Sequence, residues 1–464
     1  MTRLFFLFLS FVTIHVSAQD YHIEVQLNNA PNKSIQLTYY YLGNIYAADT
    51  IQLDASGYGV FQGDSLLPQG LYKILIDNSH HFDFLMGADQ EFKISNSTFD
   101  SKKAIIKNAA ETEAFIDYVV LLDELKAKRA SLNESYLTAS DTEQQKISKE
   151  LDELSDKMQD YWKKVDKQFP KSFLYKFITA NHIPELDVST LPKEIAANDS
   201  LLLRAKFNYQ HEHYWDYFDY TDERYLYTPF YKTKLETWFT QVLLPSYDSV
   251  KPYVYEFLAD VKPNKRIFQF ATSYFLNSSI NSYIMGMDAL FIDIANDFYL
   301  SGEAFWASEE SLETIRENVL FIQDNLIGKI APDLTLESFD GEFINLHQIE
   351  SKLTVVLIYE PNCSHCKVFV PDFHKNVYLP YKDKGLAVYA IYSMDDKDEW
   401  EEFLIRHNMF DWINVWDEHH DSRFKIKYDG RQTPGVFLLD ENKKIIGKKM
   451  TVEQLKEVIA LDLN

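Results

Sequence analysis

The spacing of hydrophobic and polar residues divides the chain into three stretches. In the first, residues 19–105, short runs such as YHIEVQL and GLYKILI alternate between apolar and polar positions, and turn-forming stretches such as NNAPN and DASGYG separate them. Alternation with a period of two, interrupted by turns, indicates antiparallel strands that bury one face. We therefore predict an N-terminal all-β sandwich or barrel of about seven strands.

The second stretch, residues 106–326, has the spacing of helices. In one part of it apolar side chains recur every three or four residues, at Ile147, Leu151, Leu154, Met158, Tyr161 and Val165. Such spacing places the side chains on one helix face. A similar run precedes them beyond the polar stretch ASLNESYLTASDTEQQ, at Phe115, Tyr118, Leu122 and Leu125. We predict an antiparallel helical hairpin at the start of a central all-α helical domain.

The third stretch, residues 327–464, alternates between strand and helix patterns. LTLESFDGEFINL indicates a hairpin that turns at Asp340-Gly341, and KLTVVLIY indicates a strand buried on both faces. Alternation that continues in this way predicts a mixed α/β sheet with helices on both faces. The chain is thus predicted to be multidomain, with β-rich, helical and α/β domains in that order.

The first 18 residues have the pattern of a secretory signal peptide. Arg3 is followed by the apolar run LFFLFLSFVTIHV, and small residues precede Gln19. An apolar core of about a dozen residues is shorter than the ~20 that a membrane span needs. We therefore expect cleavage after Ala18 and export of the remainder. A lipoprotein would need a cysteine at the cleavage site, and none precedes Cys363.

The charge of the chain excludes one class of partner. The sequence has 46 basic and 70 acidic residues, which gives a net charge of −24. This charge repels phosphate backbones and anionic lipid surfaces. Nucleic acid is therefore not an expected partner. Net charge bears on solubility and association, so it indicates nothing more specific about function.

The only two cysteines, Cys363 and Cys366, lie in the sequence YEPNCSHC. They follow the predicted buried strand and stand where a helix is predicted to begin. The first turn of a helix offers unpaired backbone N–H groups and the positive end of the helix dipole. A sulfur in this position ionises at a lowered pKa and becomes a nucleophile. The pair therefore has the setting of a redox-active dithiol.

Three features resemble the TlpA/ResA-like thiol-disulfide oxidoreductases, whose domain has the thioredoxin fold. The C-x-x-C pair lies at a strand-to-helix turn, Pro371 follows within the helix, and Thr433-Pro434 precedes a later strand. The resemblance implies that Cys363 is the attacking thiolate and Cys366 the resolving thiol. It also implies a cis Pro434 that faces the pair and leaves room for a substrate strand. The domain order resembles exported proteins of gram-negative bacteria, so the expected location is the periplasm.

The sequence departs from thioredoxins at two positions near the pair. Thioredoxins have a buried Asp six residues before the first cysteine as a proton acceptor, and Leu357 stands there. Asn362 replaces the usual tryptophan directly before that cysteine. The proton acceptor for the resolving thiol is therefore undetermined, and Glu360, three residues before Cys363, is a candidate.

His365 stands directly before the second cysteine, as a histidine does in the C-P-H-C of DsbA and the C-G-H-C of protein disulfide isomerases. The comparison implies an imidazole that stabilises the Cys363 thiolate and shifts the couple towards an oxidant. The missing buried Asp and the added histidine leave the direction of electron flow undecided between reductase and oxidase or isomerase.

Other interpretations of the pair have less support. Structural zinc needs about four ligands, and the chain has no further cysteine. A peroxiredoxin would have Thr or Ser three residues before its cysteine and Pro seven residues before, where Glu360 and Val356 stand. A disulfide across so short a loop constrains the unfolded chain little, so a purely structural bridge explains the pair poorly. The alternative function is a partner- or ligand-binding protein whose thioredoxin domain is mainly structural.

The sequence thus predicts an exported thiol-disulfide oxidoreductase that exchanges disulfides with protein partners through its CSHC motif. The expected site residues are Cys363, Cys366, His365 and Pro434, supported by Thr433 and Glu360. Protein thiols and disulfides are the expected partners, together with an upstream membrane redox partner. The β-rich or the helical domain could also mediate a homodimer. No cofactor and no metal are expected.

Overall fold

The computed structural model describes residues 21–463. The predicted signal peptide, residues 1–18, lies outside this range. None of the helices within the range combines the length and the apolar character needed to cross a membrane. The chain forms two compact units, one that ends at Leu243 and one that begins at Leu244.

Eight strands begin the described part of the first unit: β1 (Tyr21–Gln26), β2 (Ser34–Tyr41), β3 (Asn44–Gln52), β4 (Tyr58–Gly63), β5 (Gly70–Leu75), β6 (His81–Met86), β7 (Glu91–Ser95) and β8 (Ile105–Lys107). They form two four-stranded sheets, in the orders β4-β1-β7-β8 and β3-β2-β5-β6. Buried and half-buried residues alternate along β1, as period-two spacing requires. Phe84 on β6 and Phe92 on β7 meet edge to face with ring centres 6.0 Å apart, so the sheets pack together. The predicted β-rich domain is confirmed.

The first unit continues with helices: α1 (Ala110–Tyr136), α2 (Asp141–Gln168), α3 (Phe173–Thr179), α4 (Lys193–Ala196), α5 (Asp199–Glu212) and α6 (Phe230–Thr237). The first two form the predicted antiparallel hairpin. Near its base the Tyr161 hydroxyl donates to the carbonyl of Ala114 at 2.7 Å, and further along Arg129 donates to Ser155 Oγ at 3.0 Å.

The turn of this hairpin is shorter than the polar stretch ASLNESYLTASDTEQQ indicated. Most of that stretch is helical, because α1 continues to Tyr136 and α2 begins at Asp141. Ser140 and Glu143 form a capping box that starts the second helix. Both helices are largely exposed towards the tip, where no neighbour requires an apolar face, so the apolar spacing that marks a packed helix is lost there.

Four α-helices begin the second unit: α7 (Tyr247–Val261), α8 (Lys265–Ile280), α9 (Asp288–Ile294) and α10 (Glu309–Ile322). The central helical region is therefore confirmed. The stretch predicted as the helical domain, residues 106–326, contributes helices to both compact units.

The rest of the second unit is an α/β domain. Its strands are β9 (Thr335–Ser338), β10 (Phe343–Asn345), β11 (Leu353–Tyr359), β12 (Leu386–Tyr392), β13 (Ile413–Trp416), β14 (Gly435–Leu439) and β15 (Ile445–Lys448). Its helices are α11 (Ser364–Phe373), α12 (Leu379–Tyr381), α13 (Lys397–His407), α14 (Phe424–Lys427) and α15 (Val452–Leu463). The strands form one sheet in the order β10-β9-β13-β12-β11-β14-β15. β11 is parallel to β12 and antiparallel to β14.

Strand β11 is buried along its whole length and separates two apolar clusters. Leu357 and Tyr359 belong to the cluster that also contains Cys366 on α11, whereas Val356 and Ile358 belong to the cluster on the opposite face. Side chains two residues apart on a strand share a face, so this division follows from the pleat. The predicted thioredoxin fold, with a mixed sheet covered on both faces, is confirmed.

Candidate active site

The C-x-x-C pair lies at the junction of β11 and α11. Cys363 is the residue before the first helical turn, with φ −69° and ψ 124°, and Cys366 lies within that turn. The backbone N–H of Cys363 donates to the carbonyl of Glu360 at 3.2 Å and closes the loop between strand and helix. Both cysteines are free thiols; Cys366 is buried and Cys363 is half-buried. The thiol with the predicted attacking role is thus the accessible one.

The surroundings of Cys363 favour its thiolate. Partial burial by itself raises the pKa of this thiol, but hydrogen bonds outweigh that effect. They come from the Thr433 side chain, from the thiol and the backbone N–H of Cys366, and from the backbone N–H of His365. The carbonyl of Thr433, 3.3 Å from Cys363 Sγ, accepts from the thiol and opposes them. The hydrogen-bond donors outweigh both burial and the Thr433 carbonyl, so the pKa of Cys363 falls from 9.0 to about 7.

Cys366 has the opposite environment. Burial, with a smaller contribution from the adjacent Cys363, raises the pKa of its thiol from 9.0 to about 12. Hydrogen bonds from the backbone of Glu360 and the side chain of Thr433 oppose the rise without cancelling it. At pH 7 about half of Cys363 is therefore thiolate, whereas Cys366 is a protonated thiol.

The loop that carries Thr433 and Pro434 lies beside the pair, and the peptide bond between these residues is cis. Gly435 begins β14 directly after the loop and pairs with Ile358 of β11. A Cβ on Gly435 would lie only 3.3 Å from Ile358 Cβ, so glycine permits this close approach of the two strands. The pairing brings Thr433 to Cys363, although 70 positions separate them in sequence.

His365 does not make the contact that the comparison with C-x-H-C proteins implies for its imidazole. The side chain is exposed, and no other described residue forms a hydrogen bond with the ring. Its backbone N–H, by contrast, is one of the groups that lower the pKa of Cys363. In this structure the position contributes through its main chain.

Glu360 is half-buried and held in place by the neighbouring strand connection. The hydroxyl of Ser393 donates to Glu360 Oε1 at 3.3 Å and to the carbonyl of Tyr359 at 3.2 Å. The backbone of Glu360 forms a hydrogen bond with the sulfur of Cys366. Glu360 thus touches Cys366 through its main chain, while its carboxylate accepts from Ser393; its role as proton acceptor stays a prediction.

A buried polar pair beneath the cysteines was not predicted from the sequence. Tyr359 lies on the same face of β11 as Leu357, the position of the missing Asp, and is fully buried. Its hydroxyl accepts a hydrogen bond from Trp400 Nε1 at 2.8 Å. Burial raises the pKa of Tyr359 far above its ordinary value, so its hydroxyl stays neutral. The alternation of β11 could have placed Tyr359, but nothing local indicates its partner 41 positions away.

Asn362, which replaces the usual tryptophan, connects the active-site loop to α13. Its side-chain amide donates to Glu399 Oε1. The other carboxylate oxygen, Oε2, accepts from the Tyr392 hydroxyl at 3.4 Å. Where thioredoxins have a tryptophan side chain next to the cysteines, this chain thus has a hydrogen bond between Asn362 and Glu399.

Neither zinc nor another metal has a prepared site in the described part of the chain. Within residues 21–463, no three or more His, Cys, Asp or Glu side chains are grouped so that they could hold an ion.

A separate cavity of about 340 Å³ lies in the first unit, between α1 and α2. Its lining is mainly apolar and includes Leu122, Leu154 and Trp162. Lys126 and Arg129 also line it, and neither forms an ion pair with a carboxylate of the described residues. The buried Trp162 Nε1–H likewise has no hydrogen-bond partner there. The cavity is therefore apolar with unused positive charge and one unused donor.

Several solved structures match parts of the chain. A domain of a possible thiol-disulfide isomerase from Cytophaga hutchinsonii is 32% identical, over 29% of this chain and 92% of that one, with a TM-score of 0.28. The thioredoxin domain of a thiol-disulfide oxidoreductase from Bacteroides vulgatus is 22% identical, over 30% of this chain and 98% of that one, with a TM-score of 0.28. A thioredoxin-like protein from Bacteroides caccae is 18% identical, over 60% of this chain and 98% of that one, with a TM-score of 0.46.

No curated protein matches the sequence. The family model of the AhpC/TSA family matches residues 327–448, which span the sheet, the cysteine pair and the Thr433-Pro434 loop. This match agrees with the fold and confirms the predicted thioredoxin-like domain. Residues 327–448 therefore form a C-terminal domain of the AhpC/TSA family with a thioredoxin-like fold.

Proposed function

We propose that this protein is an exported thiol-disulfide oxidoreductase that exchanges disulfides with other proteins through Cys363 and Cys366. The observation that carries the proposal is the unequal placement of two free thiols at the start of one helix. One is half-exposed beside the Thr433-Pro434 loop, and the other is buried beneath it. A structural bridge would not need a pair in which one sulfur is accessible and ionised while the other is protected.

In the reducing direction, the Cys363 thiolate attacks one sulfur of a substrate disulfide and displaces the other as a thiolate. The Cys366 thiol then loses its proton and attacks Cys363, which releases the second substrate sulfur. The substrate gains two electrons and the enzyme pair becomes a disulfide. We assign the acceptance of the Cys366 proton to the Glu360 carboxylate, because the backbone of this residue contacts that sulfur and its side chain accepts from Ser393. In the oxidising direction the same steps run backwards.

The location and partners form part of the proposal. The signal-like N-terminus supports a periplasmic location. Protein disulfides or thiols are its substrates, and an upstream membrane redox partner restores its active form. The β-rich and helical domains set the choice of partner or mediate a homodimer.

Trapping tests the exchange reaction directly. Cys366→Ala leaves the attacking thiol without its resolving partner, so a mixed disulfide should accumulate when periplasmic extract is supplied. Cys363→Ala is the matched control and should trap nothing, because the remaining thiol is buried. If Cys366→Ala forms no adduct and the wild type fails to reduce a model disulfide, the oxidoreductase proposal is wrong.

The hairpin cavity supports a second function, the binding of a small ligand. A volume of about 340 Å³ suits a small molecule better than a folded partner. An apolar chain with one carboxylate matches this lining: leucines contact the chain, and Lys126 and Arg129, which pair with no carboxylate of the described residues, attract the charge. Trp162 Nε1–H, which has no partner there, can donate to it. A fluorescent fatty acid should bind the wild type and bind Arg129→Gln more weakly, with Lys128→Gln as the control outside the lining. Equal binding to all three, or none, would contradict a site here.

A further inference from the structure

Helix α10, which precedes the thioredoxin-like domain, contacts the loop that leads to the cis proline. Arg431 on that loop donates through Nη1 to Asn318 Oδ1 of α10 at 2.8 Å. Its guanidinium carbon lies 4.3 Å from the ring centre of Phe321, one helical turn further on. On the loop side, Arg431 Nε donates to Asp429 Oδ1 at 2.6 Å. A planar guanidinium that stacks and donates in two directions is fixed in orientation as well as in position.

A second group of contacts holds α10 in place against the domain. Asn325, which follows the helix and is fully buried, donates to the carbonyl of Lys427 at 3.0 Å. Lys448 on β15 donates to Asn325 Oδ1 at 2.9 Å and to its carbonyl at 3.1 Å. The buried Lys448 also forms an ion pair with Asp288 of α9. The helix is therefore a fixed support from which Arg431 can be held.

The last backbone hydrogen bond before Arg431 runs from the Gly430 N–H to the carbonyl of Lys425 at 2.7 Å, and among the described residues none follows from the N–H groups of residues 431–433. Residues 429–434 lie between α14 and β14 and belong to no helix or strand. Arg431 and Gln432 are exposed, and only two positions separate Arg431 from Thr433, which forms hydrogen bonds with Cys363. Hydrogen bonds weaken steeply when distance or angle departs from the optimum. If Arg431 could move, the distance and angle of the hydrogen bonds between Thr433 and Cys363 would therefore change as well.

We propose that α10 is a positioning element of the redox site: Asn318 and Phe321 hold Arg431, and Arg431 holds the loop that places Thr433 against Cys363. The inference rests on the proposed thiol-disulfide exchange for its functional meaning. Asn318 and Phe321 are positioning residues, since neither touches the cysteines. Both lie before residue 327, outside the stretch that matches the family model. The helical region thus contributes positioning residues to the redox site of the thioredoxin-like domain.

The test measures the pH dependence of Cys363 alkylation in full-length Phe321→Ala and Asn318→Ala. Loosening Thr433 weakens the hydrogen bond from its side chain, which is the largest contribution that lowers the pKa of Cys363, so the midpoint should rise from about 7 and the rate at pH 7 should fall about two- to fivefold. Phe321→Trp keeps an aromatic face for Arg431 and should restore the wild-type midpoint. Arg316→Met is the matched control, because Arg316 lies on the same helix but pairs with Glu309 and Glu313.

Two results would overturn the proposal. One is a wild-type midpoint in both Phe321→Ala and Asn318→Ala when thermal unfolding shows that they are folded. The other is an equal shift in Arg316→Met, which would indicate a general effect on α10. Asn318→Ala removes only two exposed hydrogen bonds, the one from Arg431 and the one that the Asn318 amide donates to the carbonyl of Thr314 at 3.0 Å. It therefore still tests the proposal if the phenylalanine variant does not fold. Alkylation reports on Cys363 itself, so the result is independent of whether the trapping experiment succeeds.

Discussion

The unequal pair makes a prediction about chemical labelling that can be worked out in numbers. When the native protein is treated with limiting iodoacetamide at pH 7, we expect modification at Cys363 and protection of Cys366. The first thiol has a pKa of about 7 and is accessible, whereas the second has a pKa of about 12 and is buried. The perturbation is therefore the pH alone, with no substitution to disturb the site.

The expected selectivity follows from ionisation and nucleophilicity together. At pH 7 about half of Cys363 is thiolate, against about 1% of an unperturbed thiol with pKa 9.0. A thiolate of lower pKa is less nucleophilic, by about eightfold for two pKa units, so the net rate exceeds that of an ordinary thiol about sixfold. The same calculation places Cys363 about 300-fold ahead of Cys366 before burial adds to the difference.

Mass spectrometry of peptides labelled over pH 5–10 measures both rates in one sample. The rate at Cys363 should rise with a midpoint near 7, and the same protein in denaturant provides the control, where both cysteines should react alike. A native midpoint near 9, or comparable labelling of the two cysteines at pH 7, would refute the reasoning.

Three substitutions test the contacts around the pair. Thr433→Val removes the hydroxyl donor and should raise the alkylation midpoint above about 7, while Thr433→Ser should restore it; no rise would exclude the hydroxyl as a donor. Tyr359→Phe leaves the buried Trp400 N–H without an acceptor and should lower the free energy of unfolding in urea by about 1–3 kcal/mol, an expectation that an unchanged midpoint would contradict. Asp288→Ala leaves Lys448 without its buried counter-ion and should lower the free energy of unfolding by about 3–5 kcal/mol in the same assay. The double variant Asp288→Ala/Lys448→Met should recover part of this loss. If Asp288→Ala is as stable as the wild type, the ion pair does not stabilise the fold.

Local patterns were sufficient to place the cysteines. A buried strand followed by a helix start fixes the environment of Cys363, because both features are encoded within about a dozen neighbouring residues. The hairpin tip shows where such patterns fail. Its exposed helices carry polar residues on every face, and only the pair Ser140 and Glu143 marked the helix start. Regular apolar spacing marks a helix face that packs against a neighbour, so it cannot reveal a helix that is exposed on all sides.

Contacts between distant positions set the rest of the site. Thr433 was placed beside the pair by resemblance, and Trp400 and Arg431 were not placed at all. Arg431 and its partner Asn318 are 113 positions apart, and no local spacing records such a contact. The position of Leu357 indicated what the site lacks, but the buried group that lies near it, Tyr359, depends on a partner supplied by another helix.

These contacts also bear on the direction of electron flow. A lower pKa of the attacking thiol stabilises the dithiol form and makes the couple more oxidising. The value of about 7 for Cys363 is close to that of thioredoxin's attacking thiol, about 7, and lies far above the ~3.5 of the oxidant DsbA. The exposed imidazole of His365 adds no contact that would lower it further. We therefore expect a reductase.

A reduction potential measured in glutathione buffer tests this expectation. A reductase should lie near about −270 mV, and a value near about −120 mV would show that the geometry misleads about direction. Two variants separate the main chain from the side chain of His365. Ala keeps the N–H that contacts Cys363 and should leave the potential unchanged, whereas Pro removes that donor and should make the couple more reducing. If Ala shifts the potential as much as Pro does, the imidazole acts after all, and the oxidant-like role implied by the C-x-H-C comparison regains support.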